Sequence, residues 1–177
     1  MPASTPARWR GRAAGLAAAL LVVGAFALLL TADGQAAAPA LRLVLTDGDG
    51  RRLAAVELPA DGRFTLRYRN SLYDSIAEER FSVNADGELV LEQLAADEPA
   101  VLAEYYAALD TRRAASGDAR RHVGRPALAV VLEELTLAAT DRGRRTLLVD
   151  GQAPVQLWRF VHDAHPSVTL RVERTDA

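Results

Sequence analysis

The chain has no cysteine among its 177 residues. That one absence excludes disulfide stapling, a thiolate metal site and lipid attachment through an N-terminal cysteine. Any domain it forms must hold itself together by packing. Lysine is missing as well, so all 21 basic residues are arginine. They are spread along the chain rather than clustered for bidentate anion contacts, which marks the usage as a compositional bias. Histidine is scarce, with three in total. His162 and His165 fall at a strand end and turn, where a surface loop is the better reading than a metal site. Positive charge is also in deficit: the whole chain carries −2, and past residue 38 there are 18 arginines against 22 acids, a balance of −4. Nucleic-acid binders show a basic surface, so that class is excluded, and nothing favours strong adhesion to anionic lipid.

What is present begins with Ala13 to Leu30, an uncharged run of 18 residues preceded by Arg8, Arg10 and Arg12. Arginines on one flank stay on the cytoplasmic side, so residues 1–38 read as a signal peptide or a membrane anchor. The run is long for a signal core and at the lower limit for a spanning helix. Ala36, Ala37 and Ala38 supply a signal-peptidase-like site, and Pro39 after them is an awkward first residue for a mature chain. Cleavage and retention both remain open. The expected location is outside the cytoplasmic membrane, periplasmic or extracytoplasmic, with contact to the membrane through the N-terminal helix if it is kept. Residues 39–177 are enough for one exported domain and too few for two.

Past Pro39 the hydrophobic period is mostly two, broken by Gly, Asp and Pro turns, as antiparallel strands require. Strands are expected at Leu41–Thr46, Arg51–Leu58, Arg63–Asn70, Ile76–Val83 and Glu88–Leu94, then at Arg145–Val149, Pro154–Val161 and Ser167–Glu173. Asn84-Ala85-Asp86-Gly87 is a hairpin signal. Val101, Leu102, Tyr105, Tyr106 and Leu109 recur at helical spacing, and Pro99 suits an early helical position, so one helix is expected within Asp97–Ala115. Ala114–Arg125 reads as an exposed loop, and a strand is expected at the end of Pro126–Ala139. Trp158 and Phe160 share strand parity and are expected in the core. The fold class is therefore mainly β: a small antiparallel sandwich or partly closed barrel with one inserted helix, preceded by the N-terminal signal or transmembrane helix.

The segment Arg67–Val83 carries the candidate polar site. Parity places Glu79 on the face of Phe81 and Val83, and an inward carboxylate needs a partner or must protonate. Symmetric pairing about the loop Ser71–Ile76 would set Tyr68 opposite Glu79, with Asn70 and Ser71 at the loop mouth. Tyr68, Asn70, Ser71 and Glu79 form the candidate group, either for binding or simply to satisfy backbone donors and fix the loop. No catalytic residue, metal ligand or cofactor is expected. Ser71 lacks the Gly-x-Ser-x-Gly elbow that exposes a hydrolase nucleophile. Asp47-Gly48-Asp49-Gly50 is a turn rather than a calcium loop, since Arg51 and Leu58 stand where oxygen ligands belong.

The string Tyr68-x-Asn70-Ser71-Leu72, with Glu79 and Phe81 following, resembles the core pattern of a small exported domain family of unknown function. Genes for that family often lie beside components of TRAP-type transporters of the TAXI class. The family commonly has His-Ser where this chain has Asn70-Ser71, and a Gly-rich stretch where it has Asp97–Tyr106. The resemblance implies a non-enzymatic extracytoplasmic accessory or binding role, with a transporter component or a small solute as partner. The alternatives are a stand-alone envelope structural module and a hydrolase or other enzyme of unrecognised type.

Overall fold

The computed structural model describes residues 40–175. The expected leader over 1–38 lies outside them; among the described residues no helix is long and apolar enough to cross a membrane. Alternating apolar positions between turns give β1 (Ala40–Asp47), β2 (Arg52–Glu57), β3 (Phe64–Asn70), β4 (Ser75–Val83) and β5 (Leu89–Ala96), and the exposed β6 (Leu109–Arg113) follows the last of these. After these come β7 (His122–Arg125), β8 (Val131–Leu132), β9 (Glu134–Ala138), β10 (Thr146–Leu148), β11 (Val155–Gln156) and β12 (Ser167–Thr175). One antiparallel sheet runs β2-β1-β12-β9; the other runs β11-β10-β3-β4-β5-β7-β6, with β8 on β5. Neither sheet closes into a barrel. β1 pairs with β12 from Ala40↔Thr175 to Asp47↔Val168, which ties together the two ends of the described chain.

Both sheets contribute to one apolar cluster, with Leu43, Leu45, Val168 and Leu170 from the smaller sheet and Phe64, Leu66, Phe81 and Leu147 from the larger. Phe64 and Phe81 are direct cross-strand partners whose rings stack at 5.2 Å. Each such side chain contributes roughly 1.5–3 kcal/mol by leaving water. The rest of the larger sheet's inner face is covered differently. Tyr68, Ala77 and Ala96 lie in one cross-strand row, and both alanines are fully buried. Their short side chains leave depth for a single π-helical turn, Val101–Tyr105, which buries Val101 and Leu102 there.

That turn is the one inserted helix expected within Asp97–Ala115, corrected in extent to Val101–Tyr105. The apolar spacing is helical, but the seat above Ala77 and Ala96 accommodates one turn. Tyr106 N–H closes it onto the Val101 carbonyl, and Ala107, at φ +48°, sends the chain away into β6. Gly124 permits the exit to pass closely: a Cβ there would stand 3.1 Å from Ala108 Cβ and 3.2 Å from the Leu109 carbonyl oxygen. Two more expectations are corrected. The loop Ala114–Arg125 ends at Arg121, because His122–Arg125 is the strand β7 between β5 and β6, with Val123 and Gly124 buried. The strand expected over Pro154–Val161 stops at Gln156 and gives way to a 3₁₀ turn, Leu157–Arg159. Strand parity therefore does not apply to Trp158 and Phe160. Leu157 is the fully buried residue; Trp158 packs partly against the core between the Arg144 and Arg159 guanidiniums, and Phe160 is 41% exposed.

The Pro59–Gly62 turn sets the entry to β3 and offers a clean test of the local geometry. Gly62 has φ +64°, and a Cβ on it would lie 3.0 Å from Val83 Cβ and 3.2 Å from Val83 N. Gly62→Ala is expected to cost about 2 kcal/mol in denaturant unfolding, combining a left-handed backbone with a clash. Gly50→Ala shares the positive φ, +79°, but meets nothing within 4 Å. It should cost about 1 kcal/mol, and an equal loss in both variants would refute the contribution of Val83.

Candidate functional site

The β3–β4 hairpin turns through Ser71–Asp74, and its chemistry sets the register. Asn70 Oδ1 accepts the backbone N–H groups of Leu72 at 3.0 Å and Tyr73 at 3.2 Å, while Asp74 takes φ +49° and receives two bonds from Arg69 at 2.6 and 2.7 Å. A side chain mimicking a backbone turn acceptor, followed by an acid that tolerates the left-handed region, closes the loop in four residues. Tyr68 consequently pairs with Ala77, Asn70 with Ser75 and Glu79 with Leu66. The symmetric pairing expected from the sequence, Tyr68 opposite Glu79, is off by two residues. A shift of two preserves the face, so Tyr68 and Glu79 both still point inward.

Tyr106, brought over by the π-helical turn, joins them. Its hydroxyl donates to Glu79 Oε1 at 2.5 Å and lies 2.5 Å from the Tyr68 hydroxyl. A phenol has one proton, so Tyr106 must accept from Tyr68 while donating to Glu79. Arg145, from the segment entering β10, donates to Glu79 Oε2 at 3.2 Å and stacks its guanidinium 4.6 Å from the centre of the Tyr68 ring. Burial pushes the Tyr68 phenol up to about 12, and burial with the adjacent Glu79 charge pushes Tyr106 further above the ordinary phenol range. Neither phenol therefore offers a base near neutral pH. Two left-handed non-glycine residues flank the network: Ala107 follows Tyr106, and Arg144, at φ +46°, precedes Arg145. Such conformations persist where surrounding contacts over-determine them.

The expected group is thus divided. Tyr68 and Glu79 meet through Tyr106; Asn70, almost fully buried, fixes the loop; Ser71 is exposed and stands apart from the network. Tyr106 and Arg145 were missed, the first because its spacing reads only as part of a helix and the second because it lies 66 residues beyond Glu79 in the chain.

The opposite face of the same hairpin carries a second cluster that the sequence reading passed over. Arg67, Glu78, Ala95 and Val123 form one cross-strand row there. Glu78, 3% exposed, is the most buried acid among the described residues. Its oxygens accept Arg67 Nε at 3.0 Å and Arg80 Nη2 at 2.8 Å, and Arg120 Nε lies 3.3 Å away. Arg80 is also held by Asp118 at 2.7 and 2.8 Å and by Gln93 at 2.8 Å; Arg120 is also held by Asp97 at 2.7 Å. Asp118 and Arg120 belong to the loop between β6 and β7, which folds across Ala95 of β5 to reach β4. Three guanidiniums meet three carboxylates, so the cluster is neutral. The signal available in the sequence was parity: with a four-residue loop, Arg67 falls opposite Glu78.

Among the described residues no group of three or more acids and histidines is gathered as a metal site. His162 and His165 face each other through a backbone bridge at a turn. Compared with family models, curated proteins and solved structures, the chain matches none.

Proposed function

We propose that the chain is a non-enzymatic accessory domain working outside the cytoplasmic membrane, released or tethered by its leader, and docking on a component of a membrane transporter. Residues 40–175 act as a sandwich-type scaffold that presents a preformed recognition loop. The observation that carries this reading is Leu72, 73% exposed in a loop fixed by Asn70 and by the Arg69–Asp74 pair. Tyr73 donates to Glu104 at 2.6 Å, which ties this loop to the π-helical turn and brings along Tyr105, itself 56% exposed. Large apolar side chains on so constrained a surface suit a protein partner, because ordering the loop in advance removes entropy that association would otherwise lose. Tyrosine is favoured at the energetic centre of interfaces. The Tyr68-to-Phe81 string supports the transporter side of the proposal through its resemblance to the transporter-linked family. The arginine-flanked apolar leader supports export.

Full-length protein captured from detergent-solubilised membranes of its host is expected to retain a transporter component. Leu72→Asp combined with Tyr105→Ala should reduce that retention roughly tenfold or more, with the melting temperature unchanged. Retention unaffected by the double substitution removes docking through this loop. Loss of every transporter component from the wild-type capture favours a stand-alone envelope module.

A further inference from the structure

The outer-face cluster differs from an ordinary ion-pair lock in its use of Arg80. Glu78 holds one edge of that guanidinium, Nε and Nη2, while Asp118 takes the other edge, Nη1 and Nη2, with both of its oxygens. Two oxygens against two nitrogens is the fork geometry by which arginine recognises a free carboxylate. The Asp118 carboxylate comes from outside the sheet, on the strap of residues 114–121, whose Ala115, Ser116, Gly117 and Ala119 are exposed. Closure of the strap is imperfect as well. Arg120 Nε is buried without a hydrogen bond, near Glu78 but misaligned, so the closed arrangement does not use every donor it buries.

Beside the strap, on the same face, opens a trough of about 810 Å³ lined by Arg63, Arg67, Arg80, Gln93 and Ala119 together with acids. Arg67 donates its Nε to Glu78, and its terminal nitrogens have no protein partner among the described residues. One guanidinium at the trough is therefore open, and the next is filled by a tethered carboxylate.

We infer that Arg80, held by Glu78 and flanked by Arg67, is a carboxylate-binding seat at the head of this trough, closed by Asp118 acting in place of a ligand's carboxylate. The class of ligand is a small organic carboxylate. A planar two-oxygen group matches the vacated edge, while Asp61, Glu92 and Asp150 around the trough disfavour the higher charge of phosphate. The seat is independent of the docking loop, since neither Leu72 nor Tyr105 contributes to it.

The test uses the ¹⁵N-labelled full-length chain in detergent micelles titrated with acetate. Its reporter is the Arg120 backbone amide, which donates to Asp118 Oδ1 at 2.8 Å. Wild-type protein should show a saturable shift of this amide that chloride at equal ionic strength does not produce. Asp118→Asn removes the internal competitor and should bind acetate roughly tenfold or more tightly. Adding Arg80→Gln to that variant should abolish binding. Equal acetate affinity in wild type and Asp118→Asn overturns the inference, as does an absence of binding in a folded Asp118→Asn protein or phosphate binding as tight as acetate. Should Asp118→Asn fail to fold, the wild-type titration decides alone: a saturable acetate-specific shift supports the seat and its absence overturns it.

Discussion

Replacing Glu78 with glutamine is expected to lower the unfolding free energy by about 3–5 kcal/mol, the largest loss of any single polar substitution in this domain. The carboxylate is 3% exposed and faces three guanidiniums. Glutamine keeps the shape but removes the charge, and its amide group sets a donor against arginine donors. Arg67, Arg80 and Arg120 would then face two acids, Asp118 and Asp97, leaving one positive charge uncompensated around a buried side chain. Arg67→Ala is the control: its side chain is 39% exposed at the rim of the cluster, and its loss should cost about 1 kcal/mol or less. Urea unfolding of both variants checks the pair. A Glu78→Gln loss no larger than that of Arg67→Ala would mean that water screens the cluster as it screens a surface pair.

Acid reaches the same cluster from the side of the strap. Hydrogen bonds from Arg80 hold the Asp118 carboxyl down to about 2, against an ordinary value of 3.8. A carboxylate whose pKa is depressed by folding contributes stability that is complete above its unfolded value and is lost as pH falls through its folded value. The contribution of Asp118 should therefore be constant above about pH 4 and fade between 3.8 and about 2. Asp118→Asn should flatten that part of the stability profile.

The larger sheet shows where the sequence is readable and where it is not. Phe64, Leu66 and Tyr68 alternate with polar residues along the strand expected at Arg63–Asn70, and all three are buried. Parity also put Glu79 on the same face as Phe81, which the shared register confirms. Alternation is a local property, so it survives ignorance of which strands are neighbours. Register is not local in that sense: it depended on Asn70 and Asp74 closing a four-residue loop, and a loop assumed two residues longer misaligned every pair beyond it. The π-helical turn was less legible still. Its length is set by the space above Ala77 and Ala96 and by the close approach at Gly124, on strands its own residues do not identify. Glu78 was overlooked for a related reason. Beside Arg80 it looks like part of a solvated face, until a loop arriving from between β6 and β7 covers it.

Glu79→Gln is the second large effect, expected at about 2–4 kcal/mol. Glu79 is the terminal acceptor of a directed chain in which Tyr68 donates to Tyr106 and Tyr106 donates to the carboxylate, while Arg145 supplies the charge partner from another segment. Glutamine can accept the Tyr106 proton or face Arg145 with its oxygen, but it cannot do both, so one buried donor is left unpaired whichever way the amide turns. Tyr68→Phe removes the first donor alone and leaves Tyr106 still donating to Glu79; its cost should be about 1 kcal/mol. Because the two positions communicate through Tyr106, the double variant should lose less than the sum of the two single losses, by at least about 0.5 kcal/mol. Strict additivity would break the chain at Tyr106 and leave two unrelated contacts. A Glu79→Gln protein that melts like wild type but fails to retain a partner would instead move the carboxylate out of the scaffold and into recognition.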